Sequence, residues 1–152
     1  MKHLTLLPLL LACAAAPALA ESCKSIHADL TEVSATNGCN TGLTSCFLGE
    51  VDGNHGLRGT THFAADSARA GPATSPSFIS YSGPFEYRTA SGTLTMRETG
   101  VTTNNSEGVV TAYQEIVQGT GLYAGASGYL FVSGQKSGGM ITTFVKGEIC
   151  YP

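Results

Sequence analysis

Runs of Val, Thr, Tyr, Phe and Ile, broken at short intervals by Gly, Asn, Ser and Pro, fill the chain, and nowhere does a 3.6-residue apolar period persist. The pattern predicts strands at about residues 25–35, 45–52, 57–67, 77–88, 92–102, 107–118, 127–135 and 138–150. Between them, Asp52-Gly53-Asn54, Ala90-Ser91-Gly92, Asn104-Asn105-Ser106 and Gln135-Lys136-Ser137-Gly138 supply turn residues, and turns this short imply antiparallel neighbours. Two links are longer: Asn37 to Thr44, which holds Cys39, and Arg69 to Pro76.

An eight-stranded antiparallel meander must hide its first and last edges, and closing into a barrel removes both. With an even number of up-and-down strands, closure sets the start of the first strand beside the end of the last. Cys23 precedes the first run and Cys150 ends the last, so a Cys23–Cys150 disulfide is expected across the seam. Cys39 and Cys46 are then left to pin the first long loop. The fold class expected is therefore all-β, a closed eight-stranded antiparallel barrel stabilised by disulfides. The competing use of these cysteines, a zinc site, wants ligands two to four residues apart, and only Cys39 and Cys46 come near that.

Residues 1–20, MKHLTLLPLLLACAAAPALA, read as a secretory signal peptide: Lys2, an apolar stretch, then Ala18-Leu19-Ala20 as a small-residue cleavage site. Leu10-Leu11-Ala12-Cys13 offers the alternative of a lipoprotein anchored at Cys13. Residues 21–152 form one domain, and an exported location, secreted or periplasmic, agrees with the four cysteines that this span keeps of the chain's five. No segment has the length of a transmembrane helix. Loss of Lys2 leaves 7 basic against 11 acidic side chains, a formal charge of −4 without basic clusters, which argues against a nucleic-acid partner.

The most specific stretch is Gly119-Thr-Gly-Leu-Tyr-Ala-Gly-Ala-Ser-Gly128. A phosphate cradle is poorly served by its spacing, no Lys follows, and strand residues Tyr129 to Val132 come next where a helix would be needed. A tight corner whose Leu122 and Tyr123 plug the barrel end fits better. The corner, the preceding Gly92 to Val101 and the strand Gly108 to Gln118 resemble the barrels of allene oxide cyclases and dirigent proteins. That resemblance covers about Gly92 to Cys150. It implies an eight-stranded barrel with a central cavity, often trimeric, in a superfamily of cyclases and proteins that steer radical coupling. Ala124 and Ser127 stand where dirigent proteins commonly carry arginine, so radical steering is not implied.

Inward polar residues of such a barrel are the natural site candidates. Val109, Thr111, Tyr113, Glu115 and Val117 share one face of their strand, and Val110, Ala112, Gln114 and Ile116 the other; Leu94, Met96 and Glu98 oppose Thr93, Thr95 and Arg97. The pattern leaves open which set points inward. Glu115 with Arg97 or Tyr113 offers an acid or base pair for cyclisation or isomerisation, against an ordinary cross-strand ion pair on a wet face. Tyr81, Tyr113 and Glu115 are the ligand-binding candidates, although Tyr81, Phe85 and Tyr87 also alternate as core or interface residues do. His62 and Asp66 fall on one strand face without a nucleophile turn, and His27 and His55 lack metal-site spacing, so neither a metal nor a cofactor is expected.

The expected function is non-catalytic: binding of a small apolar or aromatic molecule, or action through homo-oligomerisation, for which the resemblance suggests a trimer. The alternative is a cofactor-free cyclase or isomerase of the allene oxide cyclase type. A third possibility places a protein-binding surface on the loops of Asn37 to Cys46 and Arg69 to Pro76.

Overall fold

The computed structural model describes residues 22–39 and 45–152; the signal-peptide reading and Cys13 lie outside them. Nine strands follow one another: β1 (Ser22–Ser34), β2 (Cys46–Gly53), β3 (Arg58–Ala64), β4 (Ser67–Ala70), β5 (Phe78–Thr89), β6 (Gly92–Thr103), β7 (Gly108–Gly119), β8 (Ser127–Ser137) and β9 (Met140–Tyr151). All pairings are antiparallel, in the order β3-β2-β1-β9-β8-β7-β6-β5, and a β3–β5 ladder closes the circle into the expected eight-stranded barrel.

The seam lies where the cysteines place it. β1 and β9 pair continuously from Ser22↔Tyr151 to Val33↔Met140, and Cys23 stands directly opposite Cys150, to which it is disulfide-bonded with Cα atoms 3.8 Å apart. The second bridge joins Cys39 to Cys46. Among the described residues no helix is long and apolar enough to cross a membrane.

The run read as one strand over residues 57–67 is two. β3 pairs the lower half of β5 as far as Phe63↔Phe85, and β4 pairs the upper half from Ser67↔Ser82, extending into what the sequence suggested was loop. Pro84 of β5, with no N–H for a ladder, sits at this break, where Gly83 packs so closely that a Cβ on it would lie 2.4 Å from the Ala64 carbonyl oxygen. Asp66 turns out of the strand, its amide bonded to the Ser82 carbonyl, and both carboxylate oxygens accept from Arg97. His62 lies instead against Cys46, its Nε2 3.8 Å from the sulfur, so the two residues form no pair.

Inside, β1 contributes Ile26, Ala28 and Leu30, β6 Leu94 and Met96, β8 Leu130 and Val132, and β9 Ile141, Val145 and Ile149. Phe85 packs at a tilt against both Phe63 and Tyr87 in the core. The Gly119–Gly128 stretch is the expected corner, a single 3-10 turn over Gly121–Tyr123. Tyr123 is fully buried and seals this end, its hydroxyl donating to the Gly56 carbonyl. Leu122, expected to share that role, is instead 54% exposed, because only one residue of so short a turn can point into the bore. The glycines are needed: Gly121 has φ +59°, and a Cβ on Gly119 would lie 1.9 Å from the Tyr123 carbonyl oxygen.

Candidate functional site

The far end of the bore from Tyr123 opens into a cavity of about 290 Å³. Phe47, Phe63, Ile79, Val110, Val132 and Ile141 form apolar walls, Asn104 and Asn105 of the β6–β7 turn stand at the mouth, and Tyr81, Glu98, Glu32 and Thr143 form a polar floor. The seam disulfide and the Tyr123 plug hold the closed end, and the cavity occupies the other.

Each floor residue faces a glycine on a neighbouring strand. Glu32 is opposite Gly49, Glu98 opposite Gly83, Tyr81 opposite Gly100 and Thr143 opposite Gly134. A Cβ on Gly49 would meet Glu32 Cγ and Thr61 Oγ1 at 2.7 Å each, and one on Gly100 would meet the Tyr81 hydroxyl at 2.6 Å. Glycine in mid-strand costs packing and backbone entropy, and here it provides the width for large polar side chains to lie across the bore.

Glu98 is 5% exposed and Glu32 6%. The Gln114 amide, 2.5 Å away, donates to Glu98 Oε2, and Tyr87 donates to the Gln114 carbonyl at 2.7 Å; Tyr81 also hydrogen-bonds Glu98. Burial pushes the Glu98 carboxyl up to about 7, against the opposing effect of the bonds from Gln114 and Tyr81. Burial, and then the neighbouring Glu98 charge, raise Glu32 to about 8. The same desolvation raises the Tyr81 and Tyr87 hydroxyls, so both stay neutral donors. Glu32 Oε1, Thr61 Oγ1 and Thr143 Oγ1 are buried without a hydrogen-bond partner, and each such atom carries a desolvation cost of about 1–3 kcal/mol. Lys136 is the one cationic side chain among the described lining residues; its Nζ donates to the Thr103 carbonyl, and burial lowers its pKa.

Of the residues singled out from sequence, Tyr81 lines this cavity. Arg97, Tyr113 and Glu115, the candidates weighed against an outer-face ion pair, do not: all three are on the outer face, and the carboxyls in the cavity lining are Glu32 and Glu98. Arg97 and Glu115 are cross-strand neighbours, but Arg97 is held by Asp66. Tyr113 joins Tyr129 and Phe131 in an exposed aromatic cluster. The sequence reading did not select Glu32, Glu98, Gln114 and Thr143, though two signals mark them. Glu32 continues the apolar set Ile26, Ala28, Leu30, and Glu98 continues Leu94, Met96, while Gly49, Gly83, Gly100 and Gly134 each interrupt a strand for no turn.

Cys23, Glu148 and Cys150 approach one another closely enough to suggest metal ligands, but the two sulfurs are bonded to each other. Comparison with known protein families, with curated proteins and with solved structures found no match.

Proposed function

We propose that this is an exported barrel, related to the allene oxide cyclase and dirigent superfamily, that takes a small apolar or aromatic molecule into its open end without transforming it. The observation that carries the reading is a one-ended cavity of about 290 Å³ with apolar walls over a polar floor. This combination is how small-molecule sites obtain affinity from the walls and orientation from a few convergent polar groups. The two disulfides agree with an oxidising, extracytoplasmic location. Native purification followed by solvent extraction and mass spectrometry should release a bound species, and Val132→Phe, which fills the cavity, should lose it. Retention of that species by the filled variant, or none from the native protein, would overturn the reading.

A second reading, a cofactor-free isomerase or cyclase, is favoured by the Glu98–Glu32 pair, two buried carboxyls raised into the range of proton transfer near neutrality. In that case Glu98→Gln abolishes turnover of a candidate substrate and leaves the melting temperature in place. Self-association is also proposed, through the outer face of β7, β8 and β9, where Tyr113, Tyr129, Phe131 and Phe144 are all at least 40% exposed. Light scattering on the purified protein reads the oligomer directly.

A further inference from the structure

We propose that the cavity floor is a subsite for an organic ammonium ion, so that the ligand is a small primary amine with an apolar or aromatic body. This inference rests on the ligand-binding reading above and adds the chemistry of the occupant.

Three oxygens on or beside the floor have no partner: Glu32 Oε1, Thr143 Oγ1 and Thr61 Oγ1. Glu32 and Thr143 line the cavity, Thr143 being the diagonal neighbour of Glu32 on the inner face since Glu32 pairs with Ile141 and Thr143 with Leu30, while Thr61 is buried beside the Glu32 stem at Gly49. A primary ammonium brings three N–H donors and no acceptor. A ligand oxygen accepts from the threonine hydroxyls and from a protonated Glu32, but it gains nothing from an ionised carboxylate, whereas an ammonium does. Two carboxyls provide the countercharge, and among the described residues no cation reaches the floor: Lys136 is held at the mouth by Thr103. The apolar walls argue against a bare metal ion, which has no use for Phe47, Phe63, Ile79 and Val110, whereas a ring or short chain on the amine would cover them.

Protonation supplies the selectivity. Glu32 and Glu98 face one another, with Tyr81 against Glu98, Tyr87 reaching it through Gln114, and Lys136 at the rim. In the free protein Glu32, raised to about 8, keeps its proton through neutrality, and Glu98, raised to about 7, is partly ionised there. An arriving ammonium favours the charged form and displaces a proton. Affinity for an amine therefore rises with pH across this range while the amine itself stays charged. A ligand that accepts a hydrogen bond from the neutral acid shows the opposite slope.

Calorimetric titration of the purified protein with 2-phenylethylamine, 2-phenylethanol and 3-phenylpropionate compares nearly the same apolar body with an ammonium, a hydroxyl and a carboxylate. The amine is expected to bind at least about tenfold more tightly than the alcohol at pH 8, as suits a charge-assisted bond. Its affinity should increase several-fold from pH 6 to pH 8, with proton release seen as a dependence of the heat on the buffer. Glu32→Gln should reduce the amine's advantage and most of its pH slope, while alcohol binding shows that the variant is folded. Equal or weaker binding of the amine than of the alcohol, or an amine affinity that falls with pH, overturns the ammonium assignment and leaves the ligand-binding reading standing. Failure of all three to bind overturns both.

Discussion

Glu32→Gln should stabilise the protein at alkaline pH and flatten the dependence of its stability on pH. In the folded state Glu32 holds its proton up to about pH 8 and Glu98 to about pH 7, whereas in the unfolded chain both carboxyls revert to about 4.5. Between these values the native state binds more protons than the unfolded one, so stability falls as pH rises. It is greatest near pH 4.5 and reaches its lower plateau above pH 8. At 1.36 kcal/mol per unit, the Glu32 displacement alone corresponds to an upper bound on the order of 5 kcal/mol. Relaxation and water entry around a charged buried group reduce this to about 2–3 kcal/mol. With a urea slope of roughly 1–3 kcal/mol/M, Glu32 alone should lower the wild-type midpoint by about 1–2 M between pH 5 and pH 9, and the smaller Glu98 displacement adds to the decline. Glutamine retains the shape and hydrogen-bonding capacity but cannot ionise, so E32Q should lose about half or more of that decline and exceed the wild type at pH 9. The depressed pKa of Asp66, from its bond with Arg97, affects stability only as pH falls below its unfolded value and leaves this window clear. A midpoint that is level or rising from pH 5 to pH 9, or an E32Q slope equal to the wild type, would refute the buried, uncompensated state of this carboxyl.

Removing the seam bridge by Cys23→Ser with Cys150→Ser frees a span of 127 residues; the chain-entropy relation gives about 5 kcal/mol and measured bridges more often about 2–4, so differential scanning calorimetry should show a large drop in Tm with the barrel still folded at low temperature. Gly100→Ala sets a methyl 2.6 Å from the Tyr81 ring and hydroxyl, and should cost about 1–3 kcal/mol in denaturant melts by forcing Tyr81 off Glu98. Tyr87→Phe leaves the Gln114 carbonyl oxygen unpaired inside the barrel, a loss of about 1–3 kcal/mol by the same assay. Arg97→Ala breaks an exposed pair with Asp66 and should change stability by less than about 1 kcal/mol, with ligand affinity unaffected.

The barrel was legible because its information is local. Turn residues fall between strand formers at every hairpin, and Cys23 and Cys150 mark the one long-range contact that separates a closed sheet from an open one. The site was less legible because the usual sorting of polar from apolar is partly reversed along β7. There Gln114 lies inside beside Glu98, whereas Val109, Tyr113 and Val117 are at least 40% exposed. A bulge between Thr95 and Met96 further shifts the register with β7, so alternation counted from either hairpin cannot be carried through the strand. The break between β3 and β4 was hidden for a similar reason: Leu57 to Ser67 has strand composition throughout, and the interruption originates in Pro84 and Gly83 on the neighbouring strand.

The Tyr123 plug and the Cys23–Cys150 staple fasten one extremity of the molecule, while the recess and its surrounding turns belong to the other. Substitutions at Asn104, Asn105 or Ser45 can thus reshape the entrance without disturbing what keeps the cylinder shut. Such a division lets a lineage, or an engineer, remodel the recess while the wall around it is inherited intact.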